Sequence, residues 1–253
     1  MFLLGMIVMT DGLRALTGSA VRNALMNFTH SPLSGAVTGA TTTAILQSSS
    51  ATTVAAVGFV SAGLIGFSEA LGIIFGANIG TTITGWLVAL FGFKFKLGVL
   101  ALPIVLTGVV LRLFSRGRLA GIGFAIAGFG LIFVGIATMQ QGMDGLQNII
   151  TPERFPSDTP VGRLQLVFIG IAITLVTQSS SAGVAAALTA LYSGGINFHQ
   201  AASLVIGMDV GTTVTAAMAT IGGAVGSRRT GLSHVIYNLF TAMGALLLLT
   251  PFS

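Results

Sequence analysis

The chain has no cysteine, only six acidic residues among 253 and only three histidines, and each shortage removes a class of chemistry. Without cysteine there is neither a disulfide framework nor a thiolate metal site. His30, His199 and His234 stand far apart without ligand-like spacing, so a metal enzyme is not expected. Charged residues make up 7% of the chain, against roughly 25% in an ordinary soluble domain. With 53% hydrophobic residues, a soluble fold of this size cannot hide its apolar surface, and lipid must be part of its solvent. The net charge of +5 comes from basic residues scattered between apolar runs, which indicates headgroup anchoring rather than nucleic acid as a partner. Met1 to Met9 is apolar but lacks a basic n-region and a small-residue cleavage site. It reads as the tail of a membrane helix rather than a signal peptide.

What is present is a repeat. Gln47-Ser48-Ser49-Ser50-Ala51 recurs as Gln178-Ser179-Ser180-Ser181-Ala182, a shift of 131 (178 − 47). The same ungapped shift carries Gly76, Gly80, Thr81, Thr82 and Thr84 onto Gly207, Gly211, Thr212, Thr213 and Thr215, and Thr43 onto Thr174. Small residues recur by accident wherever membrane helices pack closely, but a four-residue polar word in register with a second motif does not.

The expected fold is an all-α polytopic membrane protein with inverted-topology repeats, re-entrant hairpins and discontinuous transmembrane helices. The first repeat, 1–139, holds a hairpin at 33–64, a broken span at 68–92 and continuous spans at 97–114 and 119–139. The second repeat, 164–253, holds a hairpin at 164–194, a broken span at 199–223 and a last span at 232–249. Between them, 140–163 carries Asp144, Glu153, Arg154, Asp158 and three prolines, and reads as an aqueous connection. Each hairpin arm has ~15 residues, short of the ~20 a crossing needs, with QSSS at the tip. The breaks are expected at Gly76–Gly80 and Gly207–Gly211, because two glycines around an Asn or Asp make poor helix interior. An odd number of crossings between the hairpins would set them on opposite faces. Arg14, Arg22, Arg112, Arg116, Arg118, Arg228 and Arg229 then fall on one side, and Lys94, Lys96, Arg154 and Arg163 on the other. The richer side is expected in the cytoplasm.

Inverted repeats with broken helices point to a transporter whose site lies near the midplane. The hydroxyls of Ser48, Ser49, Ser50, Ser179, Ser180 and Ser181, the amides of Gln47 and Gln178, and helix N-terminal N–H groups all donate hydrogen bonds, which suits an oxyanion. Asn78, Thr81, Thr82, Thr84, Asp209, Thr212, Thr213 and Thr215, with carbonyls freed at the breaks, are hard oxygen ligands for a small cation such as sodium. Asp209 is an ionisable residue at membrane depth and therefore a functional candidate; the duller reading makes it the cap of a half-helix beginning at Gly211. His234 and Asn238, one turn apart in the final span, are candidates to line the cavity. A serine hydrolase needs a general base beside its serine, and no histidine accompanies either QSSS.

The paired QSSS words, the GANIGTT run at Gly76 to Thr82 and HVIYN at His234 to Asn238 resemble the type II sodium/phosphate cotransporter family in its bacterial branch. The resemblance implies secondary active, sodium-coupled symport of inorganic phosphate by alternating access, with no cofactor beyond the coupling ion. It places phosphate at Gln47–Ser50 and Gln178–Ser181, and sodium beside them. The expected partners are phosphate, sodium ions, membrane lipid and a second copy of the chain, in a bacterial cytoplasmic (inner) membrane. Asp209 stands where the family usually repeats an Asn, which opens proton coupling and ion stoichiometry to question. Bacterial members often carry a soluble helical domain after the membrane core, and regulation by such a domain is not readable from residues 1–253. The same architecture carrying another oxyanion or a small carboxylate, or an uncoupled anion channel, are the alternatives.

Overall fold

A computed structural model describes residues 1–94, 97–145 and 151–251. Among them are ten α-helices and no strand: α1 Phe2–Asn27, α2 Pro32–Leu46, α3 Ser49–Ser61, α4 Phe67–Leu87, α5 Ala101–Phe114, α6 Arg118–Gly145, α7 Pro160–Thr177, α8 Ser180–Tyr192, α9 Phe198–Ala219 and α10 Val225–Leu248. Among the described residues, five helical segments are long and apolar enough to cross a membrane: Phe67–Lys94, Arg118–Gly145, Pro160–Thr177, Phe198–Ala219 and Val225–Leu248. The chain gathers into two compact units, one of Met1–Thr52 with Gly72–Met139, the other of Thr53–Leu71 with Gln140–Ser253.

Glycine organises the first unit by letting backbones touch. On α6, Gly128 and Gly135 lie against the backbone of α1 at Met9 and Phe2, and Gly123 and Gly130 on another face meet α5 at Arg112 and Val105. A Cβ at any of these positions would collide with a neighbouring main chain. With lipid outside, this close approach supplies the packing that hydrophobic exclusion supplies in water.

The same device joins α2 to α4, and here the structure corrects the sequence reading. α4 runs unbroken through Gly76–Gly80 and continues as a π-helix over Val88–Lys94, and α9 runs unbroken through Gly207–Gly211. The glycines are contact points, not breaks. A Cβ on Gly76 would sit on the Ala36 carbonyl, and one on Gly207 on the Val167 carbonyl, the position 131 residues further on. Gly39 meets Ile73 and Gly170 meets Leu204, again in register. Glycine costs a helix interior about 1 kcal/mol, but a broken helix in lipid strands polar groups at several kcal/mol each, so continuity wins. Asp209 consequently lies inside a helix and caps none.

Other boundaries shift. The apolar start at Met1–Met9 belongs to a helix that continues through Asp11, Arg14 and Arg22 to Asn27. The span expected at 97–114 becomes a 3-10 turn, Leu97–Val99, followed by an α5 of 14 residues, fewer than the ~20 of a full α-helical crossing. The hairpin arms α2, α3 and α8 are short as expected, at 15, 13 and 13 residues, whereas α7 reaches 18. The last helix begins seven residues before its expected start at 232. Lys96 and part of the 140–163 connection, residues 146–150, lie outside the described residues.

In the second unit Leu166, Ala187, Ile196, Ala201, Leu204 and Met208 form one apolar core. The described part of the connection is tied onto it: Gln200 Nε2 donates to the Pro152 (2.8 Å) and Pro156 (3.2 Å) carbonyls. Asp158 pairs with Arg163 and with His199 Nδ1, the latter at 2.8 Å.

Candidate functional site

Each QSSS forms the tip of a helical hairpin, and the two tips are built alike. α2 ends where Gln47 enters the left-handed region (φ 51°, ψ 33°), and α7 ends where Gln178 does the same (φ 52°, ψ 25°). These are the only non-glycine residues with positive φ among those described. The left-handed conformation costs an L-residue ~1–2 kcal/mol, which glycine would avoid, so the glutamine side chain must earn its place. Gln47 Nε2 donates to the Ala44 carbonyl (2.6 Å) and Gln178 Nε2 to the Leu175 carbonyl (2.7 Å), each three residues back. From the long neighbouring helix, Thr84 Oγ1 donates to Gln47 Oε1 (2.9 Å) and Thr215 Oγ1 to Gln178 Oε1 (3.4 Å). One hydrogen of each Nε2 is thereby committed, and the glutamines act first as struts.

The serines divide their work. Ser48 Oγ accepts from Ala51 N and Ser179 Oγ from Ala182 N, both at 3.3 Å, so the first serine of each triplet caps the returning helix. Among the described residues, none takes a side-chain hydrogen bond with Ser49, Ser50 or Ser180. With Ala51 N and Ala182 N taken by these caps, the N–H groups of Ser49, Ser50 and Ser180 at the starts of α3 and α8 have no intrahelical acceptor. Each tip therefore presents unspent donors at the positive end of a helix dipole, the chemistry that holds an oxyanion. Gln47, Ser49 and Ser181 are buried, while Ser50 and Ser180 are half-buried and Gln178 is exposed. Among the described residues, no His, Asp or Glu bonds the side chain of Ser48, Ser49, Ser50, Ser179 or Ser180.

The cation candidates fall on one face of each long helix at i, i+3, i+4: Asn78, Thr81 and Thr82 on α4, and Asp209, Thr212 and Thr213 on α9. Thr81 and Thr212 donate to the carbonyls of Ala77 (2.9 Å) and Met208 (3.0 Å), and Thr82 and Thr213 to Ile79 and Val210 (both 2.7 Å). The hydroxyl protons thus point into the helix and leave oxygen lone pairs outward. Because neither helix breaks, the carbonyls expected to be freed at Asn78 and Asp209 are not, and hydroxyl, amide and carboxylate oxygens are the remaining ligands. No cluster of three or more His, Asp or Glu suited to a metal occurs among the described residues.

Asn238, expected along a cavity, is fully buried and bridges α10 to α9: its Nδ2 donates to the Asp209 carbonyl (3.1 Å) and lies 3.4 Å from His234 Nε2. His234 is 1% exposed and its Nδ1 is buried without a partner. The left-handed glutamines and the capping role of Ser48 and Ser179 were not foreseen. Thr84 and Thr215, lying 37 residues after the two glutamines, carried the only sequence signal for the struts.

A duplicated pair of polar-tipped hairpins with helices long enough to cross a bilayer is the architecture of an integral membrane transporter. The Na+/Pi-cotransporter family matches residues 1–141 and 155–251, and the chain belongs to it. Among its relatives, the "Uncharacterized protein YqeW" of Bacillus subtilis is 31% identical over 94% of this chain and 76% of its own length. The "Putative inorganic phosphate export protein YjbB" of Escherichia coli is 26% identical over 98% of this chain, which spans only 44% of that protein. The sheep "Sodium-dependent phosphate transport protein 2A" is 48% identical over 59 residues, 23% of this chain and 9% of its own. No solved structure matches the chain. With such bacterial relatives, the protein is one of the inner (cytoplasmic) membrane.

Proposed function

We propose that the chain carries inorganic phosphate by sodium symport with alternating access. Gln47–Ser50 and Gln178–Ser181 hold the anion, and Asn78, Thr81, Thr82, Thr84, Asp209, Thr212, Thr213 and Thr215 supply ligands to sodium. The observation that carries this reading is the same tip built twice: a left-handed glutamine strut, a capping serine, then the hydroxyls of Ser49 and Ser50 in one tip and of Ser180 in the other, beside a helix N-terminus. No Lys or Arg lies in either tip, so a multivalent anion there needs cations that arrive with it. Sodium dependence follows from that electrostatics, and the name of the sheep relative agrees with it. The name of the Escherichia coli relative speaks of export, which a symporter performs only when an internal phosphate excess outweighs the inward sodium gradient.

The test is labelled phosphate uptake into proteoliposomes under an inward sodium gradient, against an equal potassium gradient. Sodium-driven accumulation is expected, and Ser49→Ala and Ser180→Ala should each reduce it about tenfold, the loss of a hydrogen bond to a charged group. Uptake indifferent to the cation would remove symport in favour of a channel. Stronger competition by sulfate or a small carboxylate than by unlabelled phosphate would reassign the substrate.

A further inference from the structure

In the first unit, away from the hairpin tip, α1, α5 and α6 part around a cavity of about 310 Å³ lined by Gly12 and Ala15, by Arg112, Ser115 and Arg116, and by Ala120, Gly121 and Phe124. Its walls are small because glycine holds the helices together immediately beyond it: a Cβ on Gly12 would strike Ala125, and one on Gly123 would strike the Arg112 backbone. Two guanidiniums are its only charged lining among the described residues. Neither is within ion-pair distance of a carboxylate among the described residues. Arg112 lies over the Phe124 ring, 5.6 Å from its centroid, which orients the planar fork. Beside these cations stand exposed apolar side chains, Leu113 73%, Phe114 85% and Leu119 55% exposed, with a further exposed cation at Arg118. A free ion needs no such rim; a molecule with an anionic head and hydrocarbon tails does.

We propose that this cavity binds the phosphate headgroup of an anionic phospholipid, with Arg112 and Arg116 on the phosphodiester and the acyl chains along Leu113, Phe114 and Leu119. Two arginines beside exposed apolar side chains match the charge of such lipids and leave zwitterionic ones without advantage. The site is independent of the transport reading, since none of its residues belongs to a QSSS tip or to the cation candidates.

The test is native mass spectrometry of the full chain released from vesicles of equal phosphatidylglycerol and phosphatidylcholine. Wild type should retain phosphatidylglycerol selectively, and R112Q/R116Q should lose roughly 30-fold in that selectivity. R228Q/R229Q, which removes the same charge elsewhere, should keep it. Thermal unfolding in detergent without lipid separates misfolding from lost binding: the double variant should unfold near the wild-type temperature, but should no longer be stabilised by added phosphatidylglycerol. Equal retention of both lipids by wild type, or unchanged selectivity in R112Q/R116Q, overturns the proposal. Displacement of the lipid by millimolar inorganic phosphate would overturn the lipid source and leave a free-phosphate site of the same chemistry.

Discussion

The two hairpins share a blueprint and differ in how they are covered. At the first tip, Gln47 is 9% exposed, closed with Thr84 beneath Phe2, Met6 and Met9 of α1 and Phe129, Ile132 and Phe133 of α6 around a void of about 10 Å³, room for at most one water. At the second tip, Gln178 is exposed and its bond from Thr215 is half an ångström longer. Duplication preserved the hydrogen-bonding pattern and let the surroundings diverge. The packing shows the same freedom: in the second hairpin Gly183 receives the Met208 side chain, whereas the corresponding positions of the first hold Thr52 and Ala77. Large and small have exchanged sides. Thr43 bonds Thr52 (3.0 Å), while Thr174, lacking that partner, turns to the Met208 carbonyl (3.3 Å).

The largest expected effect tests what the hairpins share. Gly76→Leu and Gly207→Leu each drive a side chain into a facing backbone, so each should cost at least about 3 kcal/mol and abolish a monodisperse, cooperatively unfolding protein in detergent. Tolerance in only one half would break the equivalence. Next is the exchanged packing. Gly183→Thr should destabilise by about 2 kcal/mol through overpacking, and Met208→Ala by about 2–3 kcal/mol through its cavity. Together they recreate the first hairpin's pair, so the double variant should be more stable than either single one; simple additivity in thermal unfolding would refute the complementarity.

A smaller difference sharpens the contrast in cover. Thr84→Val leaves a buried Gln47 Oε1 without a donor and should cost about 1–3 kcal/mol, whereas Thr215→Val beside an exposed Gln178 should cost about 0.5 kcal/mol or less. Both are to be measured in sodium-free buffer, where ion binding does not contribute. The smallest effect concerns a feature only the second repeat has. Asp158 accepts a hydrogen bond from Arg163 and lies near His199, which holds its carboxyl below the usual aspartate value. A depressed folded-state pKa adds stability that is present above the unfolded value of ~3.9 and fades as the pH falls through the folded one. The described connection, 151–159, should therefore become more susceptible to an acid protease as the pH drops below that range, and Asp158→Asn should remove the dependence. At Pro32 and Ser68, where the first repeat has no such residues, no matching trend is expected.

Much of the hairpin plan was legible because it depends on local chemistry. A short apolar arm, a polar word and a second short arm can only turn back, and both words did so at the expected residue. The GANIG and GMDVG runs were misread for a definite reason: a glycine pair that weakens a helix in isolation is the same pair that lets two helices touch, and only the neighbour distinguishes them. The left-handed glutamines were invisible because nothing in a single strand of sequence says that Thr84 or Thr215 will arrive to hold the amide.

Sequence alone therefore determined that the chain lives in lipid, that it is a duplication with a shift of 131, and that two serine-rich words would form the hairpin tips. Composition, register and polarity are properties of the chain before it folds. The continuity of α4 and α9, the use of one serine per tip as a cap, the burial of the first glutamine and exposure of the second, and the arginine-lined cavity were decided by tertiary structure. Each depends on which backbone or side chain comes within a few ångströms of another, and in a membrane, where every main-chain polar group must find a partner inside the protein, those contacts outweigh local propensity.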